Sequence, residues 1–339
     1  MIPSFWSRLA DPAIRTVLLC GCGGGFDFLH ALTLHPELRR LGKRLVYGSY
    51  SFGDPRRIGG EAPVVFRRDA AVVRAVSARS VADPHYAPEI HLCSYLDALE
   101  PASAPHSVYA YYARAFTVPV LSEFYRELVD DEEIDAVLLF DGGSDSLMAG
   151  DEEGLGDPIE DAVSVAAVDS LERPRLKVLF SVGFGADRFN RVSDAASLRA
   201  VAELTRRGGF LGALALEAEH SGTEFYRGAI EHVYQRQSFR SALTGFILSA
   251  ARGCFAGQAA TELMPERVRP GGFFVWPLMA MLWAFDVETV AARSMIVDWI
   301  RSCTTVEDCY RALADGRARL PGGLRGVENL PAHEDFRRS

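Results

Sequence analysis

Residues 14–27, IRTVLLCGCGGGFD, decide the fold of this 339-residue chain. The apolar run Ile14–Cys20 is typical of a strand buried in a parallel sheet, and glycines follow it directly. The next segment, Phe26–Leu41, has the apolar spacing of a helix, and Gly42 is placed to end it. Arg44–Tyr47 then has the composition of a second strand. Together these segments predict a β-α-β unit.

The same alternation continues along the chain. Helices are predicted over Ser122–Val129, Pro158–Leu171, the segment from Ser193 to Arg206 that Ser193 caps, His220–Cys254, Val287–Cys303, and a last helix from its cap Thr304 to Ala314. Strands are predicted over Ile134–Phe140, Leu176–Val182 and Phe210–Leu216. This pattern predicts an α/β fold, namely a Rossmann-like, mostly parallel sheet with helices on both faces and a helical C-terminal portion. We expect residues 1–320 to form a single domain and residues 321–339 to form a loose C-terminal tail.

Three of the predicted strands end in loops that combine glycine with aspartate. Parallel strands bring their carboxyl ends to one edge of the sheet, where open α/β sheets bind ligands. We therefore expect these loops to line a single crevice. The loops are Gly21–Asp27, Asp141–Asp145 and Gly183–Asp187.

Glycines in these loops are candidate cofactor-binding residues, because glycine lets a ligand approach the backbone closely. Gly21–Gly25 precedes a predicted helix, whose free amides favour an anion such as phosphate. Tight strand–helix turns also use glycine and need no ligand, so this alternative stays open. The candidate set is Gly21, Gly23, Gly24, Gly25, Asp27, Gly142, Gly143, Gly183 and Gly185.

Two common nucleotide-binding motifs are not met. Phe26 stands where the pattern G-x-G-x-x-G requires its last glycine, and no acid ends the second predicted strand. A G-x-x-x-x-G-K-[ST] phosphate-binding loop is also missing from the sequence. These departures disfavour an ordinary nicotinamide dehydrogenase and a P-loop phosphotransferase.

The acidic residues of the loops are candidates for chemistry. Asp145 and Asp187 are predicted to be catalytic, since a carboxylate can hold ribose hydroxyls or magnesium, or can transfer a proton. Asp141 is a candidate for substrate binding. The alternative is that these carboxylates cap helices and turns. Further acids crowd the region after the predicted strand Ile134–Phe140, and of these Glu152 and Glu153 are expected at the solvated surface. The others are Asp151, Asp157, Glu160 and Asp161.

Neither a metal nor a cofactor is fixed by the sequence, although magnesium is a candidate. The eight histidines show no metal-binding spacing, since His30 and His35 are five residues apart and off a common helical face. Arg56 and Arg57 follow the second strand and are candidates to clamp a phosphate or carboxylate of the substrate. An exposed, solvated arginine pair is the alternative.

The composition limits the classes of binding partner and the cellular location that we expect. The net charge of -9 disfavours nucleic acid and anionic membranes. The six cysteines and the lack of a secretory pattern near residues 5–11 predict reduced thiols and a cytoplasmic protein. The apolar stretch Phe273–Phe285 is too short to span a membrane and is predicted to be buried. We expect a small-molecule partner, and a homo-oligomer is left open.

Several of these segments resemble the DUF1152 family, a set of proteins of unknown function. The resemblance spans residues 14–315 and is carried by GCGGGFD at Gly21–Asp27, SFGDPRRIGG at Ser51–Gly60, FDGGSDSLMAGDEEGLGDPIEDA at Phe140–Ala162 and GFGAD at Gly183–Asp187. It implies a Rossmann-like fold and gives no established reaction.

Two hypotheses of function follow. The first is an enzyme acting on a nucleotide or sugar-phosphate-like metabolite at the glycine and aspartate loops. The second is a non-catalytic metabolite-binding or regulatory protein of the same fold, favoured by the lack of a recognisable nucleophile–base pair.

Overall fold

A computed structural model describes residues 2–112, 114–268, 273–327 and 329–330 of the chain. The strands are β1 (Thr16–Gly24), β2 (Arg44–Ser51), β3 (Gly59–Gly60), β4 (Val64–Arg68), β5 (Ala71–Ser77), β6 (Ser80–Val81), β7 (Ser107–Tyr112), β8 (Ala136–Gly142), β9 (Leu176–Val182), β10 (Phe210–Ala215) and β11 (Met281–Asp286). The helices are α1 (Ser4–Leu9), α2 (Asp27–His30), α3 (His35–Arg40), α4 (Pro88–Leu99), α5 (Val118–Asp131), α6 (Pro158–Asp169), α7 (Asp194–Arg206), α8 (Ser221–Tyr234), α9 (Ala242–Ala251), α10 (Val287–Arg293), α11 (Met295–Ile300) and α12 (Val306–Ala318). Short 3-10 turns lie at Ala31–Thr33, Pro55–Arg57, Pro101–Ser103, Asp145–Leu147, Ala186–Asn190, Thr261–Leu263 and Pro277–Ala280.

One large sheet organises the chain, with the strand order β10-β11-β9-β8-β1-β2-β7-β5-β4. Its five central strands, from β9 to β7, pair in parallel, and β11 and β5 flank them as antiparallel neighbours. The chain runs outward from β1 through β2 to β7, then crosses to the other side of β1 to form β8 and β9. The direction of winding therefore reverses between β1 and β8, which opens a crevice at their carboxyl ends.

Helices cover both faces of this sheet, because successive side chains of a strand point to opposite faces. In β1, Val17 and Leu19 pack into one core with α1, α4, α8 and α9. Leu18 and Cys20 pack into a second core with α5, α6, α7 and α11. Strand β8 alternates in the same way, which explains why its sequence is a continuous apolar run.

The predicted fold class is confirmed: the protein is a mixed α/β structure with a large, mostly parallel sheet and a helical C-terminal portion. Strand β9 and helix α7 have the predicted limits, and Ser193 caps α7 by accepting a hydrogen bond from the amide of Ala196. Gly42 has a φ of +73°, the left-handed conformation expected of a glycine just beyond a helix.

Three segments that were predicted to be single helices are each divided into two shorter helices. The segment Phe26–Leu41 is two short helices, α2 and α3, separated by the 3-10 turn Ala31–Thr33. His220–Cys254 divides into α8 and α9, and Val287–Cys303 divides into α10 and α11. At the last of these breaks Ser294 is the cap of a new helix and accepts a hydrogen bond from the amide of Val297, so a local side-chain bond replaces helix continuation. The cap of α12 is Thr305, not Thr304.

The described part of the C-terminal segment contacts residues 150–152 of the protein. Arg325 pairs with Asp151 at 2.7 Å, and Arg317 of α12 donates to the carbonyls of Gly150 and Glu152. Residues 331–339 lie outside the described residues, so the expected domain boundary at residue 320 stays a prediction.

The apolar stretch Phe273–Phe285 belongs mainly to the 3-10 turn Pro277–Ala280 and to β11, in the interior of the sheet. Across the described part of the chain, no helix combines the length and apolar character needed to cross a membrane.

Replacing Phe140 by alanine should destabilise the fold by about 3–5 kcal/mol, because it empties a large site in the core. The Phe140 ring is fully buried and stacks on Phe180 with ring centroids 4.9 Å apart. Leu99→Ala is the control, since Leu99 is 52% exposed and its loss should cost no more than about 0.5 kcal/mol. Urea unfolding curves of equal midpoint for the two variants would contradict this assignment of the core.

Candidate functional site

Asp27 lies at the crevice between the ends of β1 and β8. Its Oδ2 accepts a hydrogen bond from the amide of Gly23 at 3.1 Å. A β-carbon on Gly23 would lie 2.8 Å from Oδ2, and one on Gly142 would lie 2.8 Å from Oδ1. Both distances are too short for real contacts, so glycine at these two positions is what lets the carboxylate sit between the strands.

Two further aspartates meet Asp27 there. Asp141 is the second-last residue of β8, and Asp161 lies in the first turn of α6. One carboxylate oxygen from each of the three lies within 4.8 Å of the others, and all three residues are buried. We call Asp27, Asp141 and Asp161 the carboxylate cluster.

The charge of the carboxylate cluster is little compensated. The hydroxyl of Ser146 donates to Asp141, whereas Oδ1 of Asp161 has no hydrogen-bond partner among the described residues. Within the same part of the chain, no lysine or arginine forms an ion pair with these three carboxylates. Asp161 lies in the first turn of α6, where the helix dipole favours a negative charge.

The two residues predicted to be catalytic lie beside the cluster. Asp187 is buried and accepts a hydrogen bond from the amide of Ser144 at 2.8 Å. Gly143, with a φ of +153°, turns the chain so that this amide faces the carboxylate. Asp145 accepts a hydrogen bond from the amide of Asp157 at 3.1 Å. Each aspartate therefore also fixes a loop, as the capping alternative anticipated.

Burial and mutual repulsion keep these acids protonated at unusually high pH. Burial, followed by the charges of Asp141 and Asp145, holds the pKa of Asp27 well above its usual range. The pKa values of Asp141, Asp161 and Asp187 are also raised well above normal, first by burial and then by the neighbouring carboxylates. Burial raises the pKa of Asp145 to about 6.

A histidine faces the cluster from the other side of Asp27. Nδ1 of His30 lies 2.8 Å from the hydroxyl of Tyr226, and Nε2 lies 4.0 Å from Oδ1 of Asp27. Within the described residues Nε2 has no hydrogen-bond partner, although His30 is only 1% exposed. Burial lowers the pKa of His30 to about 3, so its imidazole is neutral at physiological pH.

A cavity of about 1100 Å³ opens next to these acids, and we call it the arginine cavity. Glu160 lines this cavity and directly precedes Asp161 of the carboxylate cluster. Nearby, the ring of Phe52 covers Gly24, and a β-carbon on Gly24 would lie 2.6 Å from Oε2 of Glu160. Arg67 and Arg114 form neither an ion pair nor a hydrogen bond with other described residues. The lining includes Tyr50, Phe52, Arg56, Arg67, Arg114, Phe116, Asp157, Glu160 and Tyr310.

The two arginines predicted to bind substrate are placed differently. Arg56 lines the arginine cavity but pairs with Asp54 at 2.9 Å. Arg57 is outside the lining and pairs with Asp83 at 2.8 Å. Of the two, only Arg56 is positioned to contact a ligand there.

The candidate glycines also separate into groups. Gly21, Gly23 and Gly24 belong to β1, and Gly25 follows it under the ring of Phe52. Gly142 and Gly143 contact the carboxylates of Asp27 and Asp187. Gly183 and Gly185 both have positive φ and form the turn that carries Asp187, with Ile247 and Trp276 as their nearest neighbours.

Two expectations from the sequence need correction. Gly21–Gly24 continue a strand, the helix after them has four residues, and Asp27 occupies the Gly23 amide, so this segment is not a loop with free amides for an anion. Glu152 is buried rather than solvated, because its carboxylate accepts hydrogen bonds from the amides of Ala149 and Gly150.

Sequence reasoning passed over several residues of the site. The spacing of His30 from His35 gives no signal, whereas its position three residues after Asp27 places His30 and Asp27 on one helical face. Asp161 was one of many acids, and its signal is its place in the first turn of the helix after β8. Arg67 and Arg114 carry no local motif that could have indicated them.

Fold and site together define an α/β protein whose buried carboxylates meet at the crossover of a parallel sheet. Comparison with protein families places residues 117–317 in the family described as "Protein of unknown function (DUF1152)". The chain belongs to this family. No curated protein and no solved structure matches the chain.

Replacing Asp161 by asparagine should stabilise the metal-free protein, and more so at pH 8 than at pH 5.5. A carboxyl group whose pKa is raised by folding stabilises the fold while protonated, and this contribution is lost as the pH rises through the raised pKa. Asparagine carries no charge, so the variant does not lose this stability as the pH rises. Thermal unfolding in a chelating buffer measures the difference between variant and wild type at each pH.

Asp169→Asn is the matched control, since Asp169 lies at the other end of α6 and pairs with Arg301 at the surface. The thermal stability of Asp169→Asn relative to wild type should not increase with pH. Destabilisation by Asp161→Asn at every pH would contradict the charge repulsion described above.

Proposed function

We propose that this protein is an enzyme acting on a phosphate-containing metabolite of the nucleotide or sugar-phosphate type. The ligand lies in the arginine cavity and reaches the acids at the crevice between β1 and β8. The observation that carries the proposal is that Glu160, which lines the arginine cavity together with Arg67 and Arg114, directly precedes Asp161 of the buried carboxylate cluster.

The arginine cavity has the chemistry of a site for an anion joined to a planar group. Arg67 and Arg114 supply guanidinium groups that form no ion pair or hydrogen bond with other described residues, although the charge of Arg114 also acts on Glu160. Arginine forks match phosphate oxygens. Phe52 and Tyr310 supply aromatic surface on which a base or a sugar ring can pack. The volume of about 1100 Å³ accommodates a ligand of nucleotide size together with water.

The topology supports the same class of ligand. Numbered along the chain, the five parallel strands have the spatial order 3-2-1-4-5, which is the order of Rossmann folds that bind nucleotides at the reversal point. Asp27 and Asp141 lie at this point. A cytoplasmic location is consistent with a metabolite of this kind.

Asp145 and Asp187 are the acids proposed to act on the ligand. They flank the carboxylate cluster and follow the ends of β8 and β9. In this position they can accept hydrogen bonds from ligand hydroxyls or exchange a proton with the reacting group. The non-catalytic alternative uses the same cavity and leaves the bound metabolite unchanged.

Arg67→Gln and Arg114→Gln should each weaken the binding of phosphate-containing ligands, because each removes an unpaired guanidinium from the cavity. ADP, glucose 6-phosphate and NAD are suitable probes in a thermal-shift assay with and without magnesium. A probe at a hundredfold excess over its dissociation constant stabilises the fold by about 2.7 kcal/mol.

Arg57→Gln is the control, since Arg57 neighbours Arg56 in sequence but lies outside the cavity lining. A stabilising probe should act equally on this variant and on wild type. If the three variants respond alike, the cavity is not the phosphate site.

Asp145→Asn should abolish turnover of a probe that binds, while the melting temperature stays within a few degrees of wild type. The asparagine retains the hydrogen bond from the amide of Asp157 but cannot transfer a proton. Phosphorus NMR of the incubated probe measures turnover. Recovery of an unchanged probe from wild-type protein would favour the non-catalytic alternative.

A further inference from the structure

We propose that the carboxylate cluster binds one divalent cation and that Nε2 of His30 accepts a hydrogen bond from a water molecule bound to that cation. The cation site stands on its own geometry. Its second role, which rests on the proposed function, is to bridge the protein to a phosphate group of the ligand in the arginine cavity.

The spacing of the three carboxylates suits a small cation. Their ligand atoms lie within 4.8 Å of one another. An octahedral ion with bonds of about 2.1 Å holds opposite ligands about 4.2 Å apart and adjacent ligands closer. The carboxylates must therefore draw closer together to close on an ion, and the ion removes the repulsion that opposes this movement.

The lack of a positive partner for the three buried carboxylates also indicates a cation site. Buried carboxylates are normally paired with a cation or coordinate a metal, because an isolated buried charge is costly. Among the described residues none of the three has a lysine or arginine partner, and Oδ1 of Asp161 has no hydrogen-bond donor. A divalent cation supplies the missing positive charge.

His30 is an independent indication of a ligand at this place. The hydroxyl of Tyr226 donates to Oγ1 of Thr244 at 3.3 Å, so at 2.8 Å from Nδ1 it accepts the ring hydrogen of His30. In the tautomer that fits this arrangement, the hydrogen lies on Nδ1 and Nε2 keeps a lone pair.

The lone pair of Nε2 points toward the cluster. A β-carbon on Gly142 would lie 2.5 Å from Nε2 and 2.8 Å from Oδ1 of Asp27, so both atoms converge over this glycine. Nε2 of His30 thus lies 4.0 Å from Oδ1 of Asp27 and has no hydrogen-bond partner among the described residues. Water polarised by a cation is a donor that can satisfy Nε2.

The donor set selects the kind of cation. Three carboxylates favour the hard ions Mg²⁺ and Mn²⁺, whereas zinc and copper sites are usually richer in histidine or cysteine. An imidazole next to the bound water orients that water, as the groups around a metal site generally do. Mn²⁺ is the better probe of the two, because its paramagnetism reports directly on binding.

The test is a titration of the full-length, metal-stripped protein with MnCl₂, followed by calorimetry and by electron paramagnetic resonance. Wild type should bind one Mn²⁺ per chain, and Mg²⁺ should compete for the site. Asp161→Asn should lose saturable binding, and His30→Gln should weaken it by at least about tenfold. Asp169→Asn, a surface substitution on the same helix, should bind as wild type does.

Circular dichroism of each variant confirms that it is folded before the titration. Absence of saturable Mn²⁺ binding by folded wild type would overturn the cation site, as would equal affinity in Asp161→Asn and Asp169→Asn. The titration of wild type is informative even if a variant does not fold.

Adding ADP separates this inference from the proposed function. Tighter Mn²⁺ binding in the presence of ADP supports both. Mn²⁺ binding without any response to ADP, glucose 6-phosphate or NAD supports the cation site and counts against the proposed function. ADP binding that is unaffected by metal removal and by Asp161→Asn overturns the bridging role of the cation.

Discussion

Repulsion between buried carboxylates at the carboxyl edge of the sheet is the constraint on which the rest of the site depends. Three separate elements, α2, β8 and α6, each deliver one acid to the carboxylate cluster. Backbone amides, the dipole of α6 and partial protonation hold this arrangement together. A core packed tightly on both faces of the sheet keeps the strands from moving apart to relieve it.

The site separates two kinds of electrostatic environment over a short distance. The cluster is buried and consists of carboxyl groups alone, whereas the arginine cavity is open and is lined by arginines together with Asp54, Asp157 and Glu160. Gly24 forms the boundary, and Phe52 and Glu160 cover it because no side chain occupies that space. The guanidinium groups of Arg67 and Arg114 can contact a negatively charged ligand in the cavity, whereas the cluster offers such a ligand no positive group unless a cation is present there.

The sequence was sufficient for five of the nine strands of the large sheet and for part of the site, whereas β4, β5, β7 and β11 were not predicted. The runs before Gly21, Gly142 and Gly183 are apolar on both faces, so buried parallel strands could be predicted, and parallel pairing put Asp27 and Asp141 at one edge. The breaks in the long helices could not be predicted, since they depend on local caps such as Ser294 and on tertiary packing. Arg67 and Arg114 reach the cavity from segments that are distant in sequence, and no local sequence pattern predicts that they lie close together.

Arg317 and Arg325 hold the segment that precedes α6, through the carbonyls of Gly150 and Glu152 and the carboxylate of Asp151. This segment leads to Asp157 and to the first turn of α6, where Asp161 lies. During synthesis on the ribosome, residues 150–157 therefore emerge long before the side chains that fix them. The sheet can assemble first, and the acidic site acquires its final shape only after residues 317–325 have emerged and docked.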